Sequence, residues 1–174
     1  MGFFNKLIGA GVFFGTIWIA TQVQGSIGET SESHDTSGGG PSSVSDIPSK
    51  YLAAYKSAAG TCSHLDWALL AGIGKVETNH GRSHLPGVSS GTNSAGAAGP
   101  MQFLKPTFNS VRSKHSDVGS DIYDPDDAAK AAAHYLCDSG LASGNEYNAI
   151  YTYNHAGWYV AQVRSAAAEY RSAA

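Results

Sequence analysis

Glu77 is the side chain in this sequence best placed to transfer a proton. It follows residues 65–76, in which apolar side chains recur at helical spacing, and it precedes the polar run 78–82. This spacing puts Glu77 at the edge of an apolar helix face, near the helix's C-terminal end. Partial burial and the helix dipole both oppose negative charge there, so both predict a raised pKa for its carboxyl group. Such a carboxyl suits general acid catalysis, although this segment alone also fits a solvent-facing glutamate.

Two other groups of side chains have chemistry suited to a carbohydrate. Residues 99–103 read Gly-Pro-Met-Gln-Phe, in which Gln102 offers a donor and an acceptor and Met101 offers a soft apolar wall for a sugar ring. Aromatic and amide side chains are concentrated again near the C-terminus: Tyr151, Tyr153, Asn154, His155, Trp158 and Tyr159. The alternative for any one of these aromatic rings is an ordinary place in the core.

The elements that must position these residues are predicted to be helices, which makes the fold class all-α. Besides the Glu77 helix, helical spacing and capping residues predict five more helices, at residues 48–59, 106–114, 125–139, 145–153 and 159–170. The clearest start is Asp124 followed by Pro125, a capping side chain and a proline at the first helical position. Residues 85–99 are rich in glycine and show no strand alternation, so they predict a long loop with a function.

The chain divides into three parts by composition. Residues 1–25 contain an apolar run of the length of a signal peptide core, although an uncleaved membrane anchor is the alternative. Residues 26–46 are rich in serine, glycine and acids, as in a flexible linker. Residues 47–174 form the predicted domain, in which ten basic residues balance ten acidic ones. A neutral domain argues against nucleic acid as the partner.

Cys62 and Cys137 are the only two cysteines. In an exported chain an even count predicts a disulfide between them, whereas in a cytosolic chain two separate buried thiols would be expected. The seven histidines form no HExxH pair, and no Cys/His spacing is typical of zinc. The sequence therefore predicts no metal site and no cofactor.

Five blocks of the sequence resemble, in order, those of the bacterial soluble lytic transglycosylases of the lysozyme-like superfamily, with the actinobacterial secreted or phage-borne type the most similar. The blocks are residues 74–82, 97–108, 124–129, 133–137 and 153–160. This resemblance implies a lysozyme-like helical domain with a substrate cleft. It also implies cleavage of the β-1,4 bond between MurNAc and GlcNAc in peptidoglycan.

The resemblance implies roles for individual residues. Glu77 matches the catalytic acid, and Thr78 stands where a serine often follows it. Five residues match substrate-binding positions: Ser94, Met101, Gln102, Tyr153 and Asn154. The implied mechanism uses Glu77 twice, as acid and then as base toward the sugar's own C6 hydroxyl, and leaves a 1,6-anhydro ring.

Two other functions stay open at this point. One is a hydrolytic muramidase on the same fold, which would need a second carboxylate about 5–9 Å from the first. The sequence shows no obvious second acid, although Asp66, Asp117, Asp121 or Asp124 could fold toward Glu77. The other is a non-catalytic wall-binding or assembly component. For each function we expect a monomer outside the cytoplasm, with peptidoglycan strands as partner and a possible membrane tether through residues 1–25.

Overall fold

The computed structural model describes residues 43–174. The predicted signal or anchor segment and nearly all of the linker therefore lie outside the described residues. The described part is mostly helical, which confirms the predicted fold class. Its elements are, in chain order, a 3₁₀ turn Val44–Asp46, α1 Ser49–Ala58, α2 Trp67–Thr78, β1 Ala97–Ala98, β2 Phe103–Leu104, α3 Lys105–Lys114, α4 Pro125–Asp138, a 3₁₀ turn Leu141–Ser143, α5 Glu146–Asn154 and α6 Gly157–Ser172.

The alanine-rich helix α4 runs through the core. Asp124 caps it as predicted, because its carboxylate accepts hydrogen bonds from the backbone N–H groups of Asp126 and Asp127. Its alanines at 128, 129 and 131–133 are fully buried, and α1 packs on this helix. Small side chains let the neighbouring helix come close, so an alanine face serves as a dense packing surface.

Helices α2 and α6 pack together more closely than ordinary side chains would permit. At Gly72, an added Cβ would lie 2.7 Å from the carbonyl oxygen of Val163, well inside van der Waals contact. At one end of this helix pair, Asp66 caps the start of α2 and accepts two hydrogen bonds from Arg171 in the last turn of α6, the shorter 2.6 Å. The glycine and the ion pair together fix how α6 lies along α2.

A short hairpin departs from the prediction that this stretch contains no strands. Ala97 pairs with Leu104 and Ala98 with Phe103 in an antiparallel ladder. Two residues per strand are too few to show an alternating pattern in the sequence. The turn between them needs Gly99, whose φ is 78° and whose Cβ, if present, would lie 1.9 Å from the carbonyl oxygen of Ile122.

A buried polar cluster lies just beyond the end of α2. The ring of His80 is fully buried, with Nδ1 3.1 Å from the hydroxyl of Tyr55 and Nε2 2.8 Å from the hydroxyl of Tyr170. A neutral imidazole has one donor and one acceptor, so one tyrosine accepts from the ring and the other donates to it. Burial, followed by the positive charges of Lys75 and Arg82, lowers the pKa of His80 to about 3. The histidine is therefore neutral in the folded protein.

Cys62 and Cys137 form the predicted disulfide, with 6.1 Å between their Cα atoms. It joins the segment before α2 to the last turn of α4. None of the helices described in residues 43–174 is both long and apolar enough to span a bilayer. The same residues contain no cluster of histidine, cysteine and acidic side chains able to hold a metal ion.

Removing this disulfide should lower the free energy of unfolding by about 4 kcal/mol, because the bond closes a long loop and so limits the entropy of the unfolded chain. The loop spans 75 residues. Urea denaturation of a Cys62→Ser, Cys137→Ser variant measures the loss, and the reduced parent protein should behave in the same way. A loss below about 1 kcal/mol would show that the loop-closure model does not describe this domain.

Candidate active site

Glu77 lies in the last turn of α2, half-buried, and its carboxylate is held by a tyrosine from another helix. The hydroxyl of Tyr159, in the first turn of α6, donates a 2.7 Å hydrogen bond to Oε1 of Glu77. Tyr159 is buried, and this burial, followed by the negative charge of Glu77, raises its pKa well above the usual value. The hydroxyl therefore keeps its proton and remains a donor to the carboxylate.

Opposing influences meet at the Glu77 carboxyl group. The helix ends one residue later, at Thr78, and Asn79 follows in the left-handed conformation. Partial burial and the helix end favour the protonated form, whereas the hydrogen bond from Tyr159 favours the ionised form. The sequence indicated only the first two influences. A group that must give up a proton and later take one back is served by an environment that supports both forms.

Two hydroxyl groups hold the backbone of residues 100–101 against the helices. Thr78 donates to the carbonyl oxygen of Pro100 at 2.7 Å and accepts from the N–H of Gly81 at 2.8 Å. Tyr153 donates to the carbonyl oxygen of Met101 at 2.8 Å. Burial and the nearby charge of Glu77 raise the pKa of Tyr153, so its hydroxyl is also a fixed donor. The loop after β1 is thus anchored beside the helix that carries Glu77.

Met101 and Tyr153, two of the predicted substrate-binding residues, lie in the core. Met101 is 1% exposed and Tyr153 is fully buried. Their positions support a role in holding the loop. Their predicted contact with a glycan stays a prediction.

Gln102 and Ser94 lie on the two sides of a compact polar turn. The Gln102 side chain donates to the carbonyl oxygen of Gly99 at 2.9 Å and accepts from the Asn93 amide at 3.1 Å. Asn93 in turn accepts from the N–H groups of Ala95 and Ala97, which folds the chain around exposed Ser94. The Gln102 side chain therefore cross-links two parts of the loop, and Ser94 lies exposed at the turn. Their contacts with substrate stay predictions.

Asn154 is the last residue of α5 and is half-buried. The next residue, His155, ends the helix in a left-handed conformation with φ of 53°. The turn that follows leads directly into Tyr159 on α6, so Asn154 lies on the segment that delivers the partner of Glu77. The predicted contact of Asn154 with a glycan also stays a prediction.

Sequence reasoning missed the contributions of Tyr159 and Thr78. Tyr159 was one of several C-terminal aromatic residues for which a place in the core was the alternative, and it is both buried and bonded to Glu77. Its partner is 82 residues away in the chain, so no local pattern could have shown the pair. Thr78 differs from the serine typical of the position, and its hydroxyl ties α2 to the loop.

Each of the four acids considered for a second carboxylate has a hydrogen-bond partner of its own. Asp66 caps the opposite end of α2, about 16 Å from Glu77 along the helix axis, and pairs with Arg171. Asp117 lies 2.9 Å from His134, a contact that lowers the pKa of this carboxyl. The other two bind backbone N–H groups: Asp121 that of Tyr123, and Asp124 those at the start of α4.

Replacing Tyr159 by phenylalanine should let the Glu77 carboxyl hold its proton to higher pH, because a donor to the ionised form is lost. If Glu77 acts as the acid, the alkaline decline of activity on peptidoglycan should therefore move upward in pH, while the maximal rate falls. A pH profile of muropeptide release measures both effects. Tyr135→Phe, which removes a half-buried tyrosine hydroxyl that donates to the carbonyl oxygen of Thr152 and not to Glu77, is the matched control. An unshifted profile for Tyr159→Phe would show that this hydrogen bond does not control the titration.

Comparison with known proteins identifies the family of this chain. Residues 52–172 match the family model described as the Transglycosylase SLT domain. The match begins within α1 and runs to the end of α6, so it includes every element of the site. No curated protein matches the chain. The match covers well over half of the sequence, so the chain belongs to the SLT transglycosylase family, the soluble lytic transglycosylases of the lysozyme-like superfamily that act on peptidoglycan.

Proposed function

We propose that this protein cleaves the MurNAc–GlcNAc β-1,4 bond of peptidoglycan without water and leaves 1,6-anhydroMurNAc ends. The observation that carries the proposal is the single half-buried carboxylate at the end of α2, held at 2.7 Å by a buried tyrosine hydroxyl. The proposal also rests on the family to which the chain belongs.

In the first step Glu77 donates its proton to the glycosidic oxygen as the bond from that oxygen to C1 of MurNAc breaks. The carbonyl oxygen of the MurNAc N-acetyl group bonds to C1 and takes up the developing positive charge. Glu77 is left as a carboxylate, and the hydrogen bond from Tyr159 stabilises that ionised form. The GlcNAc part of the strand leaves with the proton.

In the second step the Glu77 carboxylate accepts the proton of the C6 hydroxyl of the same MurNAc. The C6 oxygen bonds to C1, and the bond from C1 to the N-acetyl oxygen breaks. Glu77 is protonated again and the anhydro ring is closed, so no external nucleophile is consumed. One carboxyl group thus serves both proton transfers.

Hydrolysis by the two-carboxylate mechanism is the competing reaction. A hydrolase of that kind places its two carboxyl groups about 5–9 Å apart. The acids considered for this role cap helices or pair with other groups. Together with these partners, the family to which the chain belongs favours the anhydro product over a reducing end.

Mass spectrometry of the muropeptides released from purified sacculi tests the proposal. Anhydro and reducing ends differ by the mass of one water molecule, so the two reactions are separated directly. Anhydro ends are expected. Reducing ends would identify a hydrolytic muramidase, and binding without release would identify a wall-binding component.

We also propose that the domain, from residue 47 onward, works outside the cytoplasm and is delivered by residues 1–25 through the linker 26–46. The composition of these segments supports export. The disulfide supports it too, because such bonds persist mainly in oxidising compartments. Cell fractionation with antibody detection tests this proposal, and a cytoplasmic pool with both thiols reduced would contradict it.

A further inference from the structure

Three exposed aromatic side chains and the half-buried ring of His155 form a row on one side of α5 and the turn after it. We call Tyr147, Tyr151, His155 and Trp158 the aromatic ladder. Tyr147 is 53% exposed, Tyr151 39% and Trp158 51%. The Tyr147 and Tyr151 rings are nearly parallel with centroids 6.1 Å apart, and the His155 ring packs against Tyr151 at 5.8 Å. In a domain whose other large apolar side chains are mostly buried, this row is the main exposed aromatic surface of the described residues.

The aromatic ladder is continuous with the site around Glu77. The Trp158 ring contacts Tyr159 edge to face with centroids 6.0 Å apart, and Tyr159 donates to Glu77. At the other end, Tyr147 reaches back toward the same turn, because its hydroxyl lies 3.8 Å from where a Cβ of Gly157 would be. From 147 to 155 the ladder runs about 12 Å along α5. The ladder therefore adjoins the turn between α5 and α6 that leads to Tyr159, the hydrogen-bond partner of Glu77.

The chemistry of the ladder suits sugar rings. Tyrosine and tryptophan combine an apolar face, which packs on the C–H face of a pyranose, with a polar edge that can bind a hydroxyl. Glu146, which precedes Tyr147 in the chain, is paired with Arg164 at 2.9 Å and approaches Arg171 at 3.8 Å. Because this charge is already compensated, the rings offer a surface for packing on sugar faces and not for an ion pair, and exposed apolar patches of this kind mark binding sites.

We infer that the aromatic ladder is an extended glycan-binding surface that holds further sugars of the strand cut at Glu77. This inference rests on the proposed function for the identity of the strand. It predicts that the protein binds long strands more tightly than short ones, because a long strand can contact both the site at Glu77 and the rings of the aromatic ladder, whereas a short strand is held at the site alone.

The test measures binding of purified glycan strands of two lengths to full-length protein carrying Glu77→Gln, which prevents cleavage during the measurement. Adding Tyr147→Ala with Tyr151→Ala should weaken binding of long strands about tenfold or more, since two stacking rings are lost. The effect on short strands should be much smaller. Tyr147→Phe with Tyr151→Phe keeps the ring faces and should restore most of the affinity. Leu85→Ala, at a residue 69% exposed in a different part of the fold, is the matched control for loss of exposed apolar surface and should bind as the parent does.

Equal loss for long and short strands, or no loss for either, would overturn the inference. Sedimentation velocity supplies an independent check. If the parent is a dimer and the alanine variant is a monomer with unchanged affinity for strands, the ladder is a contact between copies and the inference is wrong. Failure of the proposed reaction is a separate result, because it shows as reducing ends released by the protein with Glu77 intact, whereas the ladder is judged by strand-length dependence.

Discussion

Replacing Glu77 by glutamine should abolish release of 1,6-anhydro muropeptides while leaving the fold and glycan binding nearly intact. Glutamine has almost the same shape and can still accept the hydrogen bond from Tyr159. It can neither give a proton to the leaving oxygen nor take one from the C6 hydroxyl, so both steps fail. General acid–base assistance is worth about 10²–10⁴ in rate, and a group used in both steps should reach the upper end of that range. Quantified muropeptide release from purified sacculi measures the loss.

Two other substitutions near the site provide rates with which the loss in Glu77→Gln can be compared. Asn154→Ala removes a half-buried amide, and Gln102→Ala removes the cross-link between Gly99 and Asn93. Both should slow the reaction less than Glu77→Gln, because neither group carries the proton. Circular dichroism should show that all three variants are folded. If Glu77→Gln keeps more than about a tenth of the parent rate, the single-carboxylate mechanism is wrong.

Acid should destabilise the domain through His80, in a pH range above that of most carboxyl groups. The pKa of His80 is about 3 in the folded protein, whereas an exposed histidine has a value of 6.5. Between these values the unfolded chain binds one proton more than the folded one, so the free energy of unfolding rises with pH. The slope should be about 1.4 kcal/mol per pH unit from this residue, and the stability is fully present only above pH 6.5. Urea denaturation at a series of pH values measures it.

His80→Asn separates this effect from the protonation of carboxylates. Asparagine does not titrate, and it tolerates the left-handed backbone that residue 80 adopts, with φ of 58°. The variant should be less stable at neutral pH, because Tyr55 and Tyr170 lose their shared partner. Its free energy of unfolding should, however, be nearly constant between about pH 5 and 6.5, whereas that of the parent decreases as the pH is lowered through this range. Parallel slopes for the two proteins in that range would contradict the assignment to His80.

The elements of this fold were predictable because their signals are local. Asp124 and Pro125 mark the start of α4 with a cap and a fixed backbone angle, and Asn79 marks the end of α2. Spacing alone placed Glu77 at the edge of a buried helix face, where the structure has it half-buried. The pairing of Cys62 with Cys137 followed from the presence of only two cysteines, once export was assumed.

The contacts that make up the site were not predictable, because they depend on how the helices pack. The hydrogen bond from Tyr159 to Glu77 exists only because α6 lies along α2. The helical spacing of Tyr159 in the sequence would be the same whether or not its hydroxyl made this hydrogen bond. Likewise, nothing near Thr78 in the sequence identifies the carbonyl oxygen of Pro100 as its partner.

The close contact at Gly72 also bears on how this domain could be redesigned. The acid is carried by one helix and its hydrogen-bond donor by the other, and the two backbones meet at Gly72, about 7.5 Å before Glu77 along α2. A methyl group there would push the helices apart and lengthen the distance between the two oxygens. In a library of variants, substitutions of Gly72 would therefore lower the reaction rate, although Gly72 lies in the core. Changes of strand preference are better sought in the exposed surface of α5, which can vary without altering the geometry of the proton donor.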